Sequence, residues 1–461
     1  MVRRERWMVV ATLALLQIFV VLAGAYWVTH DADRNPAPVA SPKPTPVPLV
    51  TAGPVLAAAG GGALPAKGTL TTRLAAAMGD PALGGSVAGI VFDALTGQPI
   101  YDGRSGTAIT PASTTKVVTA LTVLATVGPD ARLATRVVQG STAGSIVLVG
   151  GGDPTLAGPA TSAAEQRATY PRPASLARLA SSTAKALKAA KITSVDLSYD
   201  TSLFTGPRTA PGWKPTYIPE GSVAPVAALT MDEGRARNGA PYPDPARATA
   251  DAFASLLGKN GIKVGKKVDT AKAAPTAREL ARVESGPVYA LVERMLTHSD
   301  NDLAEALARH AAVKEGLPHS FESVPTAVGR VLTRLGVNEK VEVTDGSGLS
   351  TKNRITPAAL AHILAVAASP AHPELHSLIS GLPVAGFTGT LHDRYGKSDS
   401  KPGAGLVRAK TGTLDGVNTL AGIAYTTDGR LLTFAFMADR VANPPEAIAA
   451  LDKMATIVSQ S

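Results

Sequence analysis

Three short motifs in this chain contain side chains that could together carry out covalent catalysis. In chain order they are Ser-Thr-Thr-Lys at residues 113–116, Ser-Asp-Asn at residues 299–301 and Lys-Thr-Gly at residues 410–412. They contain two serine hydroxyls and two lysine amines. A lysine in a desolvated pocket near another cation can lose its proton near neutral pH and then accept the proton of a serine. The motif set therefore predicts nucleophilic catalysis by a serine.

The Ser-x-x-Lys pattern occurs three times, so sequence context must identify the nucleophile. The copy at residues 398–401 falls after the second motif, and the copy at residues 182–185 lies in an Ala/Ser/Lys-rich segment typical of a solvated helix face. Ser113 instead follows a turn-like Thr-Pro-Ala and precedes a Val/Leu/Ala-rich segment that predicts a buried helix. At a helix N-terminus Ser113 would meet the positive end of the dipole, with Lys116 one turn away on the same face. We predict that Ser113 is the nucleophile.

The second and third motifs each occur once and gain meaning only from their order. Residues 299–301 lie inside a stretch, residues 286–310, that predicts a helix. A strand that reaches Gly412 would let a substrate backbone approach closely. Four residues there can contact a substrate through a cation, two hydroxyls and the backbone: Lys410, Thr411, Gly412 and Thr413.

From about residue 87 to residue 448 the chain resembles the class C low-molecular-mass penicillin-binding proteins. These are D-alanyl-D-alanine carboxypeptidase/endopeptidases of the bacterial wall. The motifs match the Ser-x-x-Lys, Ser-Asp-Asn and Lys-Thr-Gly set of penicillin-binding proteins and serine beta-lactamases. The segments that carry the likeness are 111–116, 151–156, 345–350, 382–386, 389–391 and 410–413. The 186 positions from Ser113 to Ser299 are typical of this class, which carries an inserted region there.

The resemblance implies a role for each motif residue. Ser113 attacks the carbonyl between two D-alanines, Lys116 is the general base, and Ser299 relays protons to the leaving amine. Asn301 holds the substrate amide. The third motif supports the proton network through Lys410 and binds the substrate carboxylate through Thr411 and Thr413. The backbone N–H groups of Ser113 and Thr413 form the oxyanion hole.

The partners implied are peptidoglycan peptides ending in D-Ala-D-Ala, with beta-lactam antibiotics as covalent inhibitors. No metal and no organic cofactor is implied. Two alternatives stay open: a beta-lactamase of the same fold, and a catalytically idle wall-binding scaffold. A beta-lactamase needs fast deacylation, often by a glutamate-held water, and no glutamate lies in a matching loop motif. The three intact motifs argue against decay into a scaffold.

The fold class implied is α/β, an α+β sandwich of the serine beta-lactamase/penicillin-binding transpeptidase type with an inserted second domain. We expect residues 73–139 and 279–461 to form the peptidase domain and residues 140–278 to form the insert. Family members often nest a second insert inside the first. Here the chain passes from residues 229–232 to a predicted helix at residue 244, so we expect the inner insert to be missing.

An apolar run of 22 residues, 7–28, follows three arginines at the N-terminus. At about 1.5 Å per residue it can cross a hydrocarbon core of about 30 Å. We predict that residues 1–29 are a cytoplasmic stub and a transmembrane helix, with a cleaved signal peptide as the alternative. Residues 30–72, rich in Pro and Gly, predict a linker. The catalytic domain would then be extracytoplasmic, either anchored to the cell membrane by a single span or secreted.

Composition excludes several classes of site. The chain has no cysteine, which rules out disulfides and thiolate sites, and its formal net charge is +9. The basic residues are scattered, so nucleic acid is not a predicted partner. His372 and His376 do not have the spacing of a zinc protease motif, and we expect an exposed helix end there. Residues 345–348 (Asp-Gly-Ser-Gly) predict a tight turn, with a place in the lining of the cleft as the alternative.

Overall fold

The computed structural model describes Gln17, Leu22, Ala25, Tyr26 and residues 62–461. Apart from those four helical residues, the predicted transmembrane helix (or signal peptide) and most of the predicted linker lie outside the described residues. Within the part of the chain that is described, no helix has the length and apolar character needed to cross a membrane. Helix α1 (Lys67–Met78) begins inside the predicted linker, and its Leu70 and Leu74 are buried. The folded part therefore starts before residue 73.

A five-stranded antiparallel sheet forms the middle layer of the molecule. Its strands, in spatial order, are β11 (Val407–Leu414), β12 (Val417–Tyr425), β13 (Leu431–Asp439), β1 (Ser86–Asp93) and β2 (Pro99–Gly103). Successive side chains point to opposite faces, and both faces are apolar: Phe434 and Phe436 enter one buried cluster, while Ala435 and Met437 enter the other. A sheet that is buried on both faces must be covered by helices on both sides.

Helices provide those two outer layers. On one face lie α1 and α11 (Pro444–Ser459), and their apolar residues pack on the phenylalanine side of the sheet. On the other face lie α2 (Thr115–Val127), α6 (Val288–His298), α7 (Asn301–Lys314), α8 (Val324–Arg334), α9 (Pro357–Ala368) and the short α10 (His376–Ser380). This helix–sheet–helix arrangement confirms the predicted α/β sandwich. A two-stranded ribbon, β9 (Val341–Glu342) with β10 (Arg354–Ile355), lies between α8 and α9 in the chain.

A second sheet is built from the segment between the first two motifs. Its strands run in the order β6 (Lys263–Val264), β5 (Ser194–Asp200), β4 (Ser145–Val149), β3 (Arg132–Gln139) and β8 (Glu279–Pro287), with β7 (Asp269–Thr270) also paired to β5. Helices α4 (Leu176–Ala189) and α5 (Pro245–Lys259) share its apolar cluster, and α3 (Ala163–Ala168) is short and exposed. The sheet extends beyond the predicted insert at 140–278. It includes β3 and β8, which lie just outside those bounds and pair with each other.

The inner insert expected to be missing would fall between Gly234 and Pro245. The chain there makes only a tight turn, with a bridge between Arg235 and Pro241, before α5 begins.

The single helix predicted for residues 286–310 is wrong, because the chain breaks at the second motif. Ser299 adopts a left-handed conformation (φ 58°, ψ 38°) that ends α6. Asp300 then caps α7, its Oδ1 accepting from Leu303 N at 2.9 Å. Apolar periodicity continues on both sides of this break, so the pattern alone could not reveal it. The break places Ser299 at a corner between two buried helices.

Candidate active site

Ser113 lies in a short 3₁₀ turn, Ala112–Thr114, which runs directly into α2. Ala112 has a positive φ of 48°, a conformation that L-residues rarely adopt and that surrounding contacts must hold. Lys116 lies in the first turn of α2, and its Nζ donates to Ser113 Oγ at 3.1 Å. The first motif thus brings the predicted nucleophile and the predicted base within hydrogen-bond distance.

Lys116 is fully buried and uses all three N–H groups of a protonated amine. Besides Ser113 Oγ, its Nζ donates to Asn301 Oδ1 at 2.6 Å and to the Ser347 carbonyl at 2.7 Å. Burial lowers the pKa of Lys116 to about 8, against an opposing pull from nearby carboxylates, Asp345 and Glu305 foremost. A lysine with this pKa is partly neutral near physiological pH and can accept the proton of Ser113.

The predicted turn at residues 345–348 lies at the site, where its Ser347 carbonyl accepts from Lys116. Asp345 is fully buried, and it accepts from the backbone N–H of Gly348 at 3.0 Å and from Ser350 at 2.7 Å. Gly348 has a φ of +87°, and a Cβ there would lie 1.9 Å from Ala112 O. The turn is therefore packed directly against the nucleophile segment.

Glu305, on α7, binds the same turn through its carboxylate. Its two carboxylate oxygens accept from Gly346 N at 3.0 Å and Ser347 N at 2.8 Å. Burial and the neighbouring Asp345 raise the pKa of Glu305 to about 7. No catalytic motif contains Glu305, and only the tertiary fold shows that it lies beneath the Lys116 site.

Lys410 and Ser299 form a second amine–hydroxyl pair. Lys410 is fully buried, and its Nζ donates to Ser299 Oγ and to the Thr411 carbonyl, each at 2.9 Å. Burial lowers the pKa of Lys410 well below its usual value, and the positive charges of Lys116 and Arg394 act in the same direction. Ser299 can therefore exchange a proton with a lysine that is readily neutral.

Strand β11 brings the third motif against the nucleophile. A Cβ on Gly412 would lie 2.7 Å from Pro111 O and 3.1 Å from Ser113 N, so only glycine allows this approach. The Ser113 N–H thus lies beside the strand that carries Thr413, as the predicted oxyanion hole requires. Thr411 Oγ1 lies 2.9 Å from Thr390 Oγ1.

The hydroxyl of Thr413 accepts from Asn418 Nδ2 at 3.2 Å on the neighbouring strand. Strand β11 is an edge strand, bridged on its outer side only between Val384 and Arg408 in the part of the chain described. The row of backbone groups beyond that bridge can pair with an extended peptide.

The segment inserted between the first two motifs also contacts the site. Asn301 Nδ2 donates to the Ser222 carbonyl at 2.8 Å, which leaves its Oδ1 facing Lys116. Asp302 Oδ1 accepts from Ala224 N at 2.7 Å, and its Oδ2 pairs with Arg235. The insert therefore fixes which way the Asn301 amide points, a contribution that no motif predicts.

A cluster of three carboxylates lies beside this contact, with oxygens of Glu233, Asp300 and Asp302 within 4.8 Å of one another. Arg294 pairs with Glu233 and Asp300, and Arg235 pairs with Asp302. Burial raises the pKa of Glu233 to about 7 and that of Asp302 to about 6. Because each acid already meets an arginine, the cluster acts as an ion-pair network between the insert and α7.

The histidine pair at residues 372 and 376 does not converge on a site. His372 Nδ1 meets Glu374, and His376 Nε2 meets the Ser369 carbonyl. Ser182, in the second Ser-x-x-Lys copy, is exposed on α4.

Known proteins resemble this chain in sequence and in fold. The D-Ala-D-Ala carboxypeptidase 3 (S13) family matches residues 70–242 and 239–460. A carboxypeptidase of Mycobacterium tuberculosis is 36% identical over 430 residues, covering 91% of this chain and 90% of the relative. Carboxypeptidase DacB of Mycolicibacterium smegmatis is 36% identical over 459 residues, covering 97% and 95%.

Penicillin-binding protein 4 of Haemophilus influenzae shares the fold, with a TM-score of 0.70 at 22% identity over 85% of this chain and 99% of that one. The chain therefore belongs to the D-Ala-D-Ala carboxypeptidase 3 (S13) family of serine hydrolases, as the resemblance to class C penicillin-binding proteins predicts.

Proposed function

We propose that this protein hydrolyses the D-Ala-D-Ala bond of peptidoglycan stem peptides through an acyl-enzyme on Ser113, and that it also cleaves cross-links between stems. The observation that supports this most directly is the buried amine of Lys116, 3.1 Å from Ser113 Oγ, with a pKa lowered to about 8. A serine is a poor nucleophile unless a base can take its proton, and this geometry supplies the base.

Acylation moves one proton from oxygen to nitrogen. Ser113 Oγ forms a bond to the carbonyl carbon while Lys116 accepts its proton. The backbone N–H groups of Ser113 and Thr413 stabilise the negative charge on the carbonyl oxygen. The C–N bond then breaks, and the leaving nitrogen receives a proton through the Ser299 hydroxyl, which Lys410 supports from 2.9 Å.

Deacylation repeats these steps with water in place of Ser113. The water adds to the ester carbonyl, the bond to Ser113 Oγ breaks, and the serine regains a proton. The amine that leaves in the earlier acylation step is free D-alanine in the carboxypeptidase reaction. In the endopeptidase reaction it is a side-chain amine of a neighbouring stem.

A beta-lactam would follow the same acylation step, with its ring amide as the bond that breaks. The Haemophilus influenzae penicillin-binding protein 4 of the same fold has been crystallised in complex with a beta-lactam. We propose that beta-lactams inhibit this protein by forming an ester with Ser113.

We further propose that the folded part acts outside the cytoplasmic membrane, where peptidoglycan lies. The apolar run at residues 7–28 would either hold it there as a single span or direct its secretion before cleavage.

The test is labelling of the full chain with a reporter penicillin, followed by digestion and mass spectrometry. We expect the adduct on Ser113, loss of labelling in Ser113→Ala, and normal labelling in Ser182→Ala, whose serine belongs to an exposed Ser-x-x-Lys copy. An adduct on another residue, or none, would contradict the proposal. The wild-type enzyme should release D-alanine from a pentapeptide, whereas Ser113→Ala should not. Rapid turnover of the penicillin instead of a stable adduct would favour a beta-lactamase.

A further inference from the structure

A groove with a volume of about 540 Å³ runs along the C-terminal half of α6. Residues 168–170 of the insert and Ser380 line it. The floor consists of residues of α6 at helical spacing: Glu293, Arg294, Thr297 and His298. None of these side chains belongs to the three motifs.

The groove reaches the reacting centre at its C-terminal end. His298 precedes Ser299, the serine proposed to protonate the leaving nitrogen. Glu293 lies six positions before Ser299, which corresponds to about 9 Å along the helix axis. A chain of about three extended residues spans that distance. The groove can therefore hold several residues of a peptide whose reacting end lies at Ser299.

Contacts of Thr297 place the groove on the side of the site where the leaving group is expected. Thr297 O lies close to Gly389, since a Cβ there would be 2.3 Å from it. The next residue, Thr390, contacts the hydroxyl of Thr411, which is proposed to bind the carboxylate of the leaving residue. Asn301, which is expected to hold the substrate amide, contacts Lys116 and the Ser222 carbonyl and does not line the groove.

One carboxylate fixes Tyr170 and Ser380 at the groove. Tyr170 OH donates to Glu293 Oε2 at 2.6 Å, and Ser380 Oγ donates to Glu293 Oε1 at 2.5 Å. Tyr170 lines the groove and is 59% exposed, so its ring offers apolar surface there. An exposed aromatic ring fixed at its polar tip is a suitable surface for packing against a peptide.

We propose that this groove binds the leaving stem peptide of a cross-linked wall substrate, so that Tyr170 is a specificity-determining residue for endopeptidase cleavage. The inference rests on the proposed function. The carboxypeptidase reaction releases a single D-alanine, which does not extend past His298. A leaving group that continues as a second stem peptide occupies the groove.

The experiment compares two substrates on the same full-length variants. Tyr170→Ala removes the ring, and Ala168→Trp places bulk in the groove at an exposed position. We expect each to lower kcat/KM for a cross-linked muropeptide dimer by about 3- to 10-fold. Release of D-alanine from a pentapeptide and the rate of penicillin acylation should stay within twofold. Tyr170→Phe, which keeps the ring, should retain most of the dimer activity.

Leu95→Ala is the matched control, because Leu95 is an exposed apolar residue in the turn between β1 and β2. An equal fall for both substrates in Tyr170→Ala would overturn the inference, since the effect would then come from the fold. Unchanged dimer cleavage in both groove variants would also overturn it. A wild-type enzyme that leaves the dimer intact would contradict both the inference and the cross-link cleavage of the proposed function. Failure of the proposed acyl-enzyme is a separate result, the absence of a penicillin adduct on Ser113.

Discussion

Lys116 and Lys410 are both completely buried and each donates to a motif serine, yet their charged surroundings are opposite. Four carboxylates act on Lys116, namely Asp345, Glu305, Asp300 and Asp302, and they oppose the effect of burial. The charged groups that act on Lys410 are Lys116 and Arg394, both positive. One amine is therefore kept able to titrate near pH 8, and the other is driven towards the neutral form.

Because their charged neighbours differ, the two lysines can serve one reaction in different protonation states. A base is most effective when its pKa lies near the working pH, which suits Lys116 for taking the Ser113 proton. Lys410 can accept a proton when a substrate carboxylate enters beside Thr411, because that negative charge would oppose burial and raise its pKa. The carboxylates of α7 and of the turn at residues 345–348 produce this asymmetry.

We expect the largest loss of acylation activity from Lys116→Met. Removing the base should lower the second-order rate of penicillin acylation about 10²- to 10⁴-fold, because Ser113 would have no amine to take its proton. Stopped-flow or gel-based labelling measures that rate. If the acylation rate falls by less than tenfold, another group deprotonates Ser113.

Lys410→Met should have a smaller effect on acylation, about 10- to 100-fold. It removes the donor to Ser299 Oγ and leaves that buried hydroxyl without its partner. The comparison of the two lysines fails if Lys410→Met is as damaging as Lys116→Met under the same conditions. Thermal melts of both variants show whether lost activity reflects lost folding.

The pH dependence of acylation should follow Lys116. The unprotonated amine is the active form, so the rate should rise as pH increases through about 8. Glu305→Gln removes one of the carboxylates that raise this pKa, and the inflection should move to lower pH. Glu342→Gln, on exposed strand β9, is the control and should leave the profile unchanged. An inflection that moves upward or stays fixed in Glu305→Gln would show that its carboxylate does not act on the base.

We expect the smallest loss of activity from breaking the ion pair between Arg235 of the insert and Asp302 of α7. Arg235→Met leaves the buried carboxylate of Asp302 without its cation, and the segment that carries Ser222 loses one of its anchors. We expect acylation to fall a few-fold because Asn301 is held less firmly beside Lys116, and the protein to lose about 2 kcal/mol of stability. Arg282→Met, whose ion pairs are exposed, is the control. A normal acylation rate in Arg235→Met would limit the insert to a structural role.

Much of the fold was predictable because apolar periodicity is local. The Val/Leu/Ala-rich segment after Ser113 forms the buried helix α2, and the helix predicted near residue 244 is α5. The break at Ser299 was not predictable in this way, since both flanking helices are buried and the backbone turn depends on one left-handed residue.

Motif order and spacing were enough to identify the candidate serines and lysines and the family to which the chain belongs. The pairing of Ser299 with Lys410 and the charges around Lys116 are visible only in the folded molecule. Glu305 and Asp345 are distant from Lys116 along the chain, and nothing in a motif shows that their carboxylates act on it. The fold also places the Ser222 carbonyl where it turns the Asn301 amide towards Lys116. Pattern and spacing identify reactive groups, whereas pKa and orientation depend on burial and on neighbours that folding alone brings together.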